Sequence, residues 1–141
     1  MSAVVDSIIA NPVAVPLMHG EARRALAFDG LGAVGLDMFA RQVRAQAASL
    51  PHARYAINLC EDRYRYLVAF CAAAARGQVT LMPPSRAPAV IDQVRAQYPD
   101  SYCLTDVDLS PAPPQCVRMP DMLAELDGAP LHVDVDALAA I

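Results

Sequence analysis

The sequence predicts an α/β fold: three layers around a mostly parallel sheet, with a βαβαβ core preceded by a β-hairpin and a helix. Three observations carry this. Apolar runs of strand length recur at 55–60, 79–82 and 101–105. The segments between them place apolar residues at helical steps of 3 and 4. Each of those segments stops at a glycine or a proline. Strands alternating with helices form βαβ units, and these require a parallel sheet with right-handed crossovers.

The leader contains Pro12 and Pro16 among apolar residues. It predicts a short helix over Val4 to Ala10, then an extended stretch. Arg24 to Phe28 reads as a strand, Asp29-Gly30 as a tight turn, and Leu31 to Val34 as the return strand. Leu36 to Leu50 reads as a helix, with Leu36, Phe39, Val43, Ala47 and Leu50 on one stripe and Asp37, Arg41, Arg44 and Gln46 opposite. Asp37 suits the positive end of that helix, and Pro51 follows it. Tyr55 to Cys60 is the next strand. Glu61 to Arg76 is a largely apolar helix closed by Gly77, in which Ala72 to Ala75 offers a close-packing surface. Val79 to Met82 is a strand ended by Pro83-Pro84. Ala87 to Tyr98 is a helix with Pro88 in its first turn and Val90, Ile91, Val94 and Tyr98 on its apolar face. Ser101 to Thr105 is the last strand of the core. Leu109 to Pro120, with four prolines, reads as a surface loop, Asp121 to Leu126 as a short helix, and Leu131 to Val135 as a strand.

Composition narrows the chemistry. The chain has 141 residues, enough for one ordinary domain with a core. The net charge of −4 argues against a nucleic-acid surface. All 11 basic residues are Arg, so no lysine chemistry is available within these residues. Cys60, Cys71, Cys103 and Cys116 form no C-x-x-C pair, which argues against zinc. The first three of them read as small buried hydrophobes. The longest apolar run, Tyr66 to Ala75, is about half a membrane span. No basic region opens the chain. The expectation is a cytoplasmic protein with no membrane segment.

Gly30-Leu31-Gly32-Ala33-Val34-Gly35 matches the dinucleotide fingerprint G-x-G-x-x-G, with Glu61 or Asp62 as a ribose-binding acid. Asp29, however, lies where a pyrophosphate would sit close by, and Asp37 in the first helical turn would compete with it for the helix dipole. A glycine-rich hairpin is the preferred reading. Glu61, Asp62, Arg63 and Arg65 gather where a strand meets its helix, a common place for ligands, and read as a solvated helix start. His19, His52 and His132 have no catalytic partner nearby in sequence. Ser85 and Ser110 lie beside prolines, outside any nucleophile elbow. Asp106 with Asp108, and Asp134 with Asp136, read as solvated strand-end acids rather than acid–base pairs.

From Arg24 to Asp106 the chain resembles the start of the adenylate-forming ligases, a superfamily of acyl-CoA synthetases, aryl-CoA ligases and peptide-synthetase adenylation domains. The matching features run in order. They are a hairpin at Ala25-Leu26-Ala27-Phe28-Asp29-Gly30, a helix ending at Leu50, the strand Tyr55 to Leu59, and a small-residue helix ending at Gly77. The strand with Pro83-Pro84 and the strand ending at Asp106 complete the series. Asp136 to Ile141 looks like the strand that leads into the superfamily's phosphate loop. Two departures stand out. Gly35 sits where a Ser or Thr helix cap is common, and Cys60-Glu61-Asp62 replaces an Asn with small polar residues.

The resemblance implies residues 1–24 as a leader and 25–141 as an N-terminal α/β subdomain ending before the phosphate loop. It implies a parent enzyme that uses ATP and Mg²⁺ to activate a carboxylic acid as an acyl-adenylate for transfer to the thiol of CoA or an acyl carrier protein. It places no catalytic, cofactor or metal residue in this segment, which would not be catalytic by itself. Its partners would be the remainder of the ligase chain, and an exposed apolar face would favour self-association. Two other readings stay open at this stage: a dinucleotide-binding oxidoreductase fragment using Gly30 to Gly35, and a non-catalytic flavodoxin-like interaction module.

Overall fold

The computed structural model describes residues 14–16, 25–29, 32–128 and 132–134, with side chains from 35 to 128. The strands are β1 (Ala14–Pro16), β2 (Ala25–Asp29), β3 (Gly32–Gly35), β4 (Tyr55–Asn58), β5 (Val79–Leu81), β6 (Ser101–Thr105), β7 (Cys116–Arg118) and β8 (His132–Asp134). The helices are α1 (Leu36–Ser49), α2 (Arg63–Ala75) and α3 (Pro88–Gln97).

Four strands form one sheet in the order β5-β4-β6-β7, with every pairing parallel. The chain moves from β4 to β5 over α2, then back past β4 to β6 over α3. Right-handed crossovers in opposite directions put their helices on opposite faces. The buried residues agree. Ala56, Tyr102 and Leu104 pack with α1 and α2, whereas Ile57, Leu81 and Cys103 pack with α3. This period-2 alternation is what a parallel sheet covered on both sides needs.

Alanine explains the tightness of the first layer. Ala69, Ala72 and Ala73 are buried, and their small side chains let α2 approach both the sheet and α1. Phe39 of α1 meets Tyr64 of α2 edge to face at 6.1 Å. Gly77 closes α2 at φ +72, a conformation that favours glycine. Buried polar groups are paired across this layer. Tyr102 Oη donates to Gln78 Oε1 at 2.7 Å, and Gln78 Nε2 donates to the Pro51 carbonyl at 2.7 Å.

The predicted hairpin is present: β2 and β3 pair antiparallel, with Asp29 opposite Gly32, in a sheet separate from the parallel one. The leader's extended stretch and the strand at 131–135 are realised as β1 and β8, which pair antiparallel. The predicted helix at Val4 to Ala10, the Asp29-Gly30 turn at Gly30, and the stub Asp136 to Ile141 lie outside the described residues.

Four expectations need correction. Leu109 to Pro120 is not all loop, because Cys116–Arg118 forms a fourth parallel strand beside β6. Proline is tolerated there because β7 is short and lies at a sheet edge. Asp121 to Leu126 is not helical. The carbonyls of Pro120 and Asp121 accept from the Arg65 guanidinium instead, and Met122 is 85% exposed. Gln46 belongs to the buried side of α1, because the segment from Val117 to Ala124 crosses that flank. The second helix begins at Arg63 rather than Glu61, since Asp62 caps it by accepting from the Arg65 N–H.

Gln78→Leu leaves the Tyr102 hydroxyl and the Pro51 carbonyl without partners. It should cost about 1–3 kcal/mol in urea unfolding. Adding Tyr102→Phe should cost less than the two single losses combined.

Candidate functional site

Open α/β sheets bind ligands outside the carboxyl ends of their strands, where the strand order reverses. Here that point lies between β4 and β6. The turn after β4 is built tightly: Leu59 N–H donates to the Leu104 carbonyl at 2.8 Å, and Cys60 N–H donates to Asn58 Oδ1 at 3.1 Å. Asn58 Nδ2 in turn reaches the Tyr66 carbonyl of α2 at 3.2 Å.

The next two amides, those of Glu61 and Asp62, donate to Oδ1 and Oδ2 of Asp106, both at 2.9 Å. The Arg65 amide donates to the Asp62 carboxylate at 2.9 Å. Asp106 thus satisfies two donors of the turn before α2, and Asp62 satisfies one amide of the helix's first turn. Asp106 is therefore a clamp between two loops rather than a merely solvated strand-end acid. Its neighbour Asp108 pairs with Arg118 at 3.0 Å. A sequence signal for the clamp existed, namely an acid ending one parallel strand beside the strand-to-helix turn of another. Only the register makes it visible.

The α3 side of the same edge is open. Leu59, Arg86, Pro88, Ile91, Asp92 and the loop from Leu109 to Pro114 line a cleft of about 400 Å³. The Arg86 guanidinium donates to the carbonyls of Leu59 and Cys60. Of the cleft's residues only Ser110 is a candidate in the sequence, and there it is set aside; Arg86 and the proline loop are separated along the chain and meet only through α3 and β6.

The other sequence candidates play structural parts. Gly32 to Gly35 lies in a strand of an antiparallel ribbon, outside the parallel sheet. The dinucleotide fingerprint needs a loop between a parallel strand and its helix, so that reading is overturned. Gly35 is the N-cap of α1 and supplies no side-chain bond, in keeping with the departure noted in the sequence. Asp37 pairs with Arg41 one turn on. His52 Nδ1 lies 3.2 Å from Arg76, and Ser85 Oγ accepts from the Ala87 amide. His19 and Asp136 lie outside the described residues, as do the side chains of His132 and Asp134. Among the described residues no group of three potential metal ligands occurs, and no helix is long and apolar enough to cross a membrane.

The cysteines are free. Burial pushes the Cys60 thiol up to about 12, with the Asp106 charge adding to the effect. Burial alone takes Cys71 up to about 11. Cys103 is pushed to about 11, again chiefly by burial. At Cys60 and Cys103 burial outweighs the neighbouring arginine charges, which is not the setting of a reactive thiolate.

A parallel sheet that reverses order at β4, with helices on both faces and an antiparallel ribbon ahead of it, defines the class as a doubly wound α/β domain. No family model matches the chain, and no curated relative is found. Solved structures do share the fold. The NpsA N-terminal subdomain of Klebsiella oxytoca, in complex with 3-hydroxybenzoyl-AMSN, superposes with a TM-score of 0.54 at 21% identity, over 69% of this chain and 26% of that one. NpsA-ThdA, an artificially fused adenylation-PCP di-domain from the same organism, gives 0.52 at 20% identity, over 69% and 20%. The O-succinylbenzoate coenzyme A synthetase MenE of Bacillus subtilis, in complex with AMP, gives 0.54 at 17% identity, over 81% and 33%. The chain spans 20–33% of these structures. It shares its fold with the NpsA N-terminal subdomain.

Two outcomes check the site. Asp106→Ala should lose about 1–3 kcal/mol in urea unfolding by orphaning two amides. Millimolar sulfate should then restore more stability to the variant than it adds to the wild type. Raised thiol pKa values also fix a pH dependence. The folded state keeps the Cys60 proton that the unfolded chain releases near 9.0. Stability should therefore hold below about pH 9 and fall as pH rises from there towards 12, with Cys60→Ala flattening part of that fall.

Proposed function

We propose that this chain is the opening α/β segment of an AMP-forming ligase, serving as one wall of its large domain. The common fold with two adenylation structures and a CoA synthetase carries the proposal. In such a parent a carboxylate attacks the α-phosphate of ATP, giving an acyl-adenylate and pyrophosphate. The acyl group then passes to the thiol of CoA or a carrier protein.

Two observations favour a place for ATP and Mg²⁺ outside the described residues. Asp106 occupies the two amides before α2 and Asp62 that of Arg65, and no group of three carboxylates, histidines or cysteines converges among those residues. The sequence offers no lysine. The nucleotide chemistry therefore belongs to other parts of the parent, and the segment contributes packing surface. A cytoplasmic location fits a parent that consumes ATP.

Residues 1–141 should show no ATP–Mg binding by calorimetry and no ATP–pyrophosphate exchange. The longer parent should catalyse that exchange with a carboxylic acid present. Micromolar, Mg-dependent ATP binding by residues 1–141 would contradict the proposal, as would a parent inert towards a broad acid panel.

A further inference from the structure

The carboxyl edge of the sheet is divided. Its α2 side is closed by the Asp106 carboxylate, whereas its α3 side keeps the cleft of about 400 Å³. That volume falls within the range of small-molecule sites, roughly 300–1,000 Å³. The position is also where a doubly wound sheet takes its ligands.

The lining specifies a chemistry. Leu59, Ile91 and Leu109 give aliphatic walls, and Pro111, Pro113 and Pro114 add rings with no N–H to offer. The body of a ligand here must therefore be apolar. One cation faces the space. Arg86 is anchored at the β4 end by two main-chain carbonyls, which use two of its five donors. Among the described residues no carboxylate lies within ion-pairing distance of it. Its remaining N–H groups suit a planar carboxylate, which they can meet side on. Asp92, on the α3 rim, adds a negative charge that weighs against every anion and most against phosphates and dianions.

We propose that this cleft is a binding site for a small apolar monocarboxylic acid, held with its carboxylate on Arg86 and its body between α3 and the proline loop. Binding here is non-covalent and non-catalytic; the lining's one hydroxyl, Ser110, lies in the proline loop. It is independent of the ligase reading: ATP has no part in it, so either proposal can fail alone.

The test is calorimetric titration of the purified protein with 2-naphthoate, with no nucleotide present. The expected result is one saturable site with Kd at or below about 1 mM. Neutral 2-naphthamide and inorganic phosphate should each bind at least about tenfold more weakly. Arg86→Gln should weaken naphthoate by a similar factor. Because that variant also loses two structural hydrogen bonds, Ala112→Trp provides a second arm. It fills the cleft from an exposed loop position and should abolish binding while leaving thermal unfolding unchanged. Equal affinity for naphthoate and naphthamide would overturn the proposal. So would undiminished binding in Ala112→Trp, or no binding to the wild type.

Discussion

Strand β4 is hydrogen-bonded along both edges and covered on both faces, and its neighbours are placed by what those four residues require. β5 and β6 take its two edges in parallel register. Ala56 faces the α1–α2 layer and Ile57 faces α3, both essentially without solvent exposure. Parallel pairing cannot be made by a tight turn, so each neighbour must arrive over a helix, and each helix must then cover a face. The three-layer architecture follows from keeping one short strand dry.

That constraint also explains the carboxyl edge. When a parallel strand runs directly into a helix, the first amides of the helix are left pointing out of the sheet. Nucleotide-binding folds leave these amides for phosphate. Here the β4–β6 register brings Asp106 beside the turn that precedes α2, where it accepts from the Glu61 and Asp62 amides at once. A single carboxylate at the end of the adjacent strand thus takes up donors next to the position where such folds bind anions.

The core was readable from the sequence because long periodic segments carry their own burial pattern. α1, α2, α3 and the strands between them needed only spacing, small residues and stop signals. Gly30 to Gly35 matched two templates in sequence, and only strand pairing separates a ribbon from a phosphate loop. The segment after Asp106 was harder for a different reason. β7 is three residues long and flanked by prolines, so no period can develop, and it exists because β6 offers an unpaired edge. Gln46 reads as polar surface on a helical wheel, but a later segment folds across it. Such features are set by contacts distant in the chain, as is the cleft beside Arg86.

The all-arginine composition acquires a physical sense in this light. The chain has 12 prolines, and each contributes a carbonyl without an N–H. Loops and helix ends therefore carry a surplus of acceptors, which must be met or left wet. Four guanidiniums meet them in pairs. Arg65 takes the carbonyls of Pro120 and Asp121, and Arg76 those of Ala47 and Leu50. Arg86 takes those of Leu59 and Cys60, and Arg95 those of Pro114 and Ser101. A planar fork with five donors can bridge two carbonyls on separate turns, whereas an ammonium presents a compact point charge. Four of the described arginines are thus loop clamps in a net-acidic protein. Arg86 differs from the other three in also lining the cleft at the carboxyl edge of the sheet.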